Sequence, residues 1–313
     1  MKPNATLGLE RTKDSAVSRM SSSHQHTLAA PVIFAGVGLH TGRRVRAALK
    51  PAAAGAGISF VRTDLDGERI AATVESVVAS RLNTAVANAS GASVATIEHL
   101  MAAFAALAVD NAVVELDGPE VPIMDGSAAP FVALIDQAGV RRQEARRRYL
   151  EILTPVEVAE GDKFARLEPC PTFEIAFEIA FPSRAIGRQR VDLEVTEASF
   201  RTELADCRTF GFLNEVEALR RAGLARGGSL KNAVVVDGDE VMNPEGLRRP
   251  DEFVRHKALD AVGDLYVLGR PVIGRYEGRY AGHALNGALV RALLARPEAW
   301  RLRAPDEHLA EAV

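Results

Sequence analysis

From Gln25 onward, apolar and polar positions alternate in short runs set off by Gly and Pro, the period-two mark of half-buried strands. TLAAPVIF, VRAALKP and GISFVRTD are such runs, with a glycine-rich turn, GVGLHTG (36–42), between the first two. The period then changes. Ile97, Leu100, Met101, Phe104 and Leu107 recur every three or four residues, which predicts a helix over Thr96–Ala108 with Thr96 as its N-cap. A strand at NAVVELDG (111–118), the loop PEVPIMDGS and a helix through AAPFVALIDQA ending at Gly139 come next. The arginine-rich stretch VRRQEARRRYLEI (140–152) reads as a solvated linker, with phosphate binding the less favoured alternative.

The second half repeats the plan. Strands are expected at EILTPVEVAE, FARLEPC and FEIAFEIAF, followed by a β-α-β unit built from RTFGF, LNEVEALRRAG and NAVVVDGDEV. A long helix over 251–268, a strand at PVIGRYEG and a helix from near His283 complete it. EHLMAAFAALAVDNAVVEL can be laid over RHKALDAVGDLYVLGRPVI with His99 opposite His256, and GSAAPFVALI then falls opposite GHALNGALVR with a one-residue gap. This faint duplication predicts two similar α+β domains, 25–146 and 147–313, with an insert at about 211–236. Residues 1–24, polar and serine-rich, read as a disordered extension, and Met20 is a second candidate start.

The length of 313 residues suits two domains, and 47% hydrophobic with 25% charged residues excludes wholesale disorder. With 38 Lys and Arg against 41 Asp and Glu, the net −3 argues against a general nucleic-acid binder. Cys170 and Cys207 lack paired spacing, so a reducing compartment is expected rather than a disulfide framework. No apolar run approaches the ~20 residues of a membrane span, and the N-terminus lacks a secretory core. The expectation is a cytoplasmic protein without stable membrane insertion, and a monomer.

Of seven histidines, His24, His26 and His308 lie in polar termini and are expected to be solvated. His256 and Asp260 stand four apart on one helical face, with Asp264 a turn further on. Taken alone, they are an ordinary surface pair. Glu98-His99 opens an apolar helix, where an acid is welcome for electrostatic reasons alone. Together, however, His99, His256 and Asp260 would give a metal three N/O ligands and leave a position open, as catalytic zinc sites do. Glu98 could then take a proton from the attacking water, and His283 could donate one or hold an oxyanion, oriented by Asp264.

GVGLHTG, TIEHLMAA, PIMDGSAAPFV, RTFGF, DEFVRHKALDAVGDL and GHALN resemble, in order, the signatures of the UDP-3-O-acyl-N-acetylglucosamine deacetylases, the zinc amidases that commit the pathway to lipid A. The resemblance spans roughly Gln25 to Pro297. It implies two α+β domains, each a β-sheet layer with helices, the helices packed between the two sheets and the site at their junction. By matching motifs, His99, His256 and Asp260 would ligate zinc and Glu98 would be the general base. His283 would be the protonated partner, supported by Asp264, while Thr209 would hydrogen-bond the tetrahedral intermediate. Lys257 would face the anionic part of an acylated UDP-sugar and Phe210 its sugar.

The family's acyl passage would map to the β-α-β insert, lined by Phe212, Leu213, Val216, Leu219, Ala225 and Val235. For the Leu213, Val216 and Leu219 stripe, core packing is the alternative. The chain departs from the pattern at Tyr280, where relatives often carry lysine, and Arg279 is a candidate replacement. His40 is expected to brace a turn, and Cys207 to be a small buried residue. Two histidines and a carboxylate suit iron(II) as well as zinc, so Zn2+ is expected with Fe2+ as the alternative.

Overall fold

The computed structural model describes residues 22–80 and 82–305. The first half contains β1 (His24–Leu28), β2 (Val32–Val37), β3 (Arg44–Pro51), β4 (Ile58–Arg62) and β5 (Glu68–Ala71). The short strands β6 (Val77–Val78), β7 (Ala85–Ala87) and β8 (Ser93–Ala95) follow, then α1 (Glu98–Ala106), β9 (Ala112–Leu116) and α2 (Ala129–Ala138). After β10 (Val140–Arg146) come β11 (Tyr149–Ile152), β12 (Val156–Glu160), β13 (Lys163–Glu168), β14 (Phe173–Ala180) and β15 (Arg188–Glu194). The single turn α3 (Glu197–Ser199) leads to β16 (Phe210–Phe212), α4 (Leu213–Arg221), β17 (Val234–Asp237) and β18 (Glu240–Val241). The chain closes with α5 (Glu252–Leu265), β19 (Val272–Arg279), α6 (His283–Leu294) and β20 (Trp300–Arg303).

The duplication is plain in the sheets. In the first half β3 is antiparallel to β2 and β9, β9 is parallel to β4, and β4 is antiparallel to β5. In the second, β13 is antiparallel to β12 and β19, β19 is parallel to β14, and β14 is antiparallel to β15. The order repeats strand for strand, with α1 before β9 matching α5 before β19. Each half also carries its insert at the same point, β6–β8 after β5 and β16–β18 after β15.

Alternation decides which face of each strand goes inward. Val45, Ala47 and Leu49 of β3 are buried, as are Val272, Gly274, Tyr276 and Gly278 of β19, whereas Ile33 of β2 is 78% exposed. Over these faces lie the helices: α2 packs on β2, α5 on β14 and β15, and α6 on β12 and β13. α1 and α5 pack on each other, so the helices form an inner layer between two sheets. Every residue of α1 is buried, and its alanines let α5 come close. At the crossing, a Cβ on Gly263 would collide with the Glu98 carbonyl.

Three expectations change. Ser22–His24 do not belong to a disordered extension: Ser22 accepts from the Tyr149 hydroxyl at 2.8 Å, and β1 begins at His24. His26 is correspondingly buried, its backbone N–H donating to Asp110. Met20 and His308 lie outside the described residues. The arginine-rich linker is β10, antiparallel to β1, running into β11, and Arg147 is 1% exposed, donating to Asp110 at 2.7 Å. An ion pair there satisfies a charge that composition alone places in water. Thr96 does not cap α1. It sits at φ 58° with its hydroxyl donated to Glu120, and Ile97 is the cap residue.

Candidate active site

His256, Asp260 and Asp264 follow one another at four-residue steps along α5 and stack on one face. The tight crossing at Gly263 brings the first turn of α1, with Glu98 and His99, against that face. The His99 and His256 rings meet edge to face, centroids 5.0 Å apart. Asp260 Oδ1 lies 3.3 Å from His256 Nε2 and 3.5 Å from His99 Nε2. The three ligand atoms all lie within 4.8 Å of one another, and all three residues are buried.

Two details show that these residues fit a cation. Asp260 Oδ2 accepts from Lys257 Nζ at 2.7 Å, but Oδ1 is buried and accepts no hydrogen bond. A carboxylate oxygen left so is costly unless a positive centre faces it. His256 Nδ1 donates to the Cys207 carbonyl at 3.1 Å, which leaves the lone pair on Nε2 pointing inward. Burial pushes the His256 imidazole down to about 3, with Asp260 opposing, so the ring stays neutral. Burial would raise the Asp260 carboxyl, but the Lys257 ammonium and the His283 imidazolium beside it hold it well below the usual range. A neutral His256 imidazole beside an ionised carboxylate suits a divalent transition ion.

Next to this group is an acid–base pair. His283, the first residue of α6, has Nδ1 2.9 Å from Asp264 Oδ2, and its Nε2 points toward Glu98 Oε1 at 3.9 Å. Burial lowers the His283 imidazole, yet Asp264, Glu98 and Asp260 together hold it up at about 9. Burial raises the Glu98 carboxyl, against the attraction of His283 and His99. The ring is therefore a proton donor beside a carboxylate able to accept one. Asp264 is itself anchored, accepting from Thr84 Oγ1 at 2.5 Å and from Asn286 Nδ2 at 2.7 Å. Asn286 Oδ1 in turn accepts from the buried Tyr276 hydroxyl, and the Thr84 backbone N–H donates to Glu98 Oε2.

Beside the site opens a cavity of about 330 Å³. Thr209 and Phe210 line it together with Leu213, Val216, Leu219, Ala225 and Val235 of the insert. Phe212, expected among them, does not. Its ring packs against Phe181, centroids 5.6 Å apart, a neighbour it shares with Phe210. Lys257 Nζ pairs with Asp260 Oδ2 at 2.7 Å. Arg279 lies over the Tyr280 ring and beside Glu178.

Sequence reasoning missed Thr84, Asn286 and Tyr276, whose only signal was a polar residue without periodicity. It also missed Glu120, fully buried, which accepts from the His40 and Thr41 backbone N–H groups and so ties GVGLHTG to the start of α1. His40 does sit in that braced turn, but its ring also lines the cavity and makes no protein hydrogen bond. Cys207 is wholly buried, and burial pushes its thiol up to about 12.

The model of the LpxC family, described as UDP-3-O-acyl N-acetylglycosamine deacetylase, matches residues 25–295. The UDP-3-O-acyl-N-acetylglucosamine deacetylase of Phenylobacterium zucineum (strain HLK1) is 67% identical over 291 residues, 92% of this chain and 99% of the relative. The protein of the same name from Myxococcus xanthus (strain DK1622) is 52% identical over 285 residues, 91% and 90% of the two chains. One from Neisseria meningitidis (strain FAM18) is 48% identical over 281 residues, 88% and 92%. With the model and the relatives matching over nearly the whole chain, this protein belongs to the UDP-3-O-acyl-N-acetylglucosamine deacetylase family.

Proposed function

We propose that the chain hydrolyses the N-acetyl group of UDP-3-O-acyl-N-acetylglucosamine, releasing acetate and the free 2-amine, the committed step of lipid A synthesis. The family membership and the names of the relatives support the substrate. The observation that carries the chemistry is Asp260 Oδ1, buried without a donor and facing two imidazole nitrogens, within a cluster that also holds Glu98 and a protonated His283.

In this reading His99, His256 and Asp260 hold Zn2+, with Fe2+ as the alternative. When bound, such an ion would polarise the acetamide carbonyl and lower the pKa of water. Glu98 takes the proton of the attacking water as its oxygen adds to the carbonyl carbon. His283 and the Thr209 hydroxyl steady the oxyanion. When the C–N bond breaks, His283 passes its proton to the leaving amine, and Asp264 keeps that imidazole oriented. Phe210 borders the sugar, Lys257 adds positive charge toward the nucleotide, and the acyl chain occupies the cavity beside α4.

The proposal includes a division of the chain after Arg146, a monomeric state and a cytoplasmic setting. Among the described residues no helix is long and apolar enough to cross a membrane. The test is acetate release from the acylated UDP-sugar before chelation, after it, and with Zn2+ or Fe2+ restored. Activity lost to the chelator and regained with metal is expected. Undiminished turnover in the metal-free protein would overturn the metal roles, and metal binding without acetate release would overturn the substrate.

A further inference from the structure

The Cys207 carbonyl that fixes the His256 ring and the Thr209 hydroxyl at the cavity flank a single residue, Arg208. Arg208 is 2% exposed and its partner Glu252 is completely buried. Glu252 stands one helical turn before His256 on α5. Its Oε1 accepts from the Arg208 backbone N–H and from Arg208 Nε, both at 2.9 Å. Its Oε2 accepts from Arg208 Nη2 at 3.2 Å and from the Arg248 backbone N–H at 2.7 Å. The remaining guanidinium bonds go to Glu245 Oε1 at 2.6 Å and the Gly246 carbonyl at 2.8 Å. One carboxylate thus locks the 207–209 segment onto the first turn of the helix that carries His256 and Asp260.

We propose that the Arg208–Glu252 pair is a positioning element of the metal centre, holding the Cys207 carbonyl where it orients the His256 ring and holding Thr209 at the cavity wall. The proposal rests on the reading of His99, His256 and Asp260 as metal ligands. Neither residue of the pair touches metal or substrate in this reading; both act through their neighbours. The energetic logic is that of a buried pair with every lone pair used. Removing one partner leaves a charge unsatisfied, and the backbone shifts to rehydrate it. A shift of the segment stretches the 3.1 Å bond from His256 Nδ1 and frees the ring to turn. Partners that orient ligand imidazoles in this way typically change metal affinity about 10–100-fold when lost.

The test loads the chelated full-length protein with Co2+, whose visible absorption reports ligand geometry, and measures affinity by competition with a chelator. Glu252→Gln keeps the shape of the side chain and removes the charge. It is expected to weaken Co2+ binding about 10–100-fold, alter the visible spectrum, and lower kcat at saturating metal more than it raises KM. Arg208→Lys keeps a positive charge and at most part of the bonding, so an intermediate effect is expected, and it carries the test if Glu252→Gln does not fold. Asp110→Asn serves as control, weakening the largely buried bond to Arg147 beyond the far end of α1. It should lower Tm while leaving cobalt affinity and spectrum unchanged. If Glu252→Gln likewise lowers only Tm, the pair is merely structural and the proposal is overturned. If the wild-type protein fails to bind one Co2+, the metal reading falls and this inference with it.

Discussion

The two halves share a strand order and differ in what their central helices carry. α1 has nine residues, all buried, and only Glu98 and His99 among them are ionisable. α5 has fourteen and carries Glu252, Arg255, His256, Lys257, Asp260 and Asp264 on its length. A duplicated scaffold solves one geometric problem twice: a helix is laid on a sheet, its start near the middle of the molecule. The chemistry was then distributed unequally. The first half contributes one candidate ligand and the candidate base, the second contributes two candidate ligands and the candidate acid. The inserts differ in the same spirit, since β6–β8 bring a hydrogen-bonding threonine, Thr84, and β16–β18 with α4 build a cavity.

That asymmetry can be broken directly. His256→Ala is expected to abolish stoichiometric metal binding and turnover together, whereas Glu98→Ala should keep the metal and lose about 10²–10⁴-fold in kcat, as measured by metal analysis and acetate release. Equal metal loss in both variants would erase the division of labour. The helix crossing gives the next largest effect. Gly263→Ala puts a methyl group against the Glu98 backbone and should cost about 1–3 kcal/mol, read in a denaturant titration. Gly278→Ala should cost a comparable amount, because its added Cβ meets the Tyr276 hydroxyl and the Phe177 ring, both buried.

A finer test concerns the proton on His283. Its folded pKa of about 9 exceeds the ordinary 6.5, so the stabilisation it gives is complete below pH 6.5 and is lost as pH rises through 9. In the proposed reaction the same proton is needed, so kcat should fall on the alkaline side. Asp264→Asn removes the nearest carboxylate and should move that limb to lower pH by about one unit or more. A divalent ion beside Asp260 lowers both limbs, so the separation between variant and wild type is the quantity to read. An unmoved limb would mean that another group titrates there. The smallest effects belong to the outer faces of the sheets. Ile33→Thr should change stability by no more than about 0.5 kcal/mol. Arg275→Ala, which breaks 2.6 Å bonds to Glu174 and Asp192, should cost about 1 kcal/mol, both by thermal melts.

Much of this was legible because helices write their faces into sequence. The four-residue steps from His256 to Asp264 and the Leu213, Val216, Leu219 stripe need only a helical period to become geometry. The repeat was legible for the same reason, since two helix–strand units keep their spacing after their residues diverge. What stayed hidden were contacts between segments far apart in the chain. Thr84 meets Asp264 across 180 residues, and nothing near Thr84 announces it. Arg147 sits in a run of arginines that looks solvated, and only the Asp110 carboxylate, 37 residues earlier, makes its burial tolerable. Phe212 shares the side of β16 with Phe210, so alternation could not separate them; its ring is taken up by Phe181, a contact 31 residues away in the chain.

The cavity beside α4 has a consequence for the energetics of the whole second half. No residue of α4 is fully buried, although Leu213, Val216 and Leu219 point the same way. The helix is therefore an unfinished piece of core, its apolar stripe facing about 330 Å³ of space open to waters. A chain of methylenes that enters displaces those waters and completes the packing, each buried CH₂ contributing ~0.8 kcal/mol until the space is full. Affinity should then climb by regular steps with chain length and level off at a definite length. The unfilled volume would act as a ruler, and the ligand would rank among the residues that fold the insert.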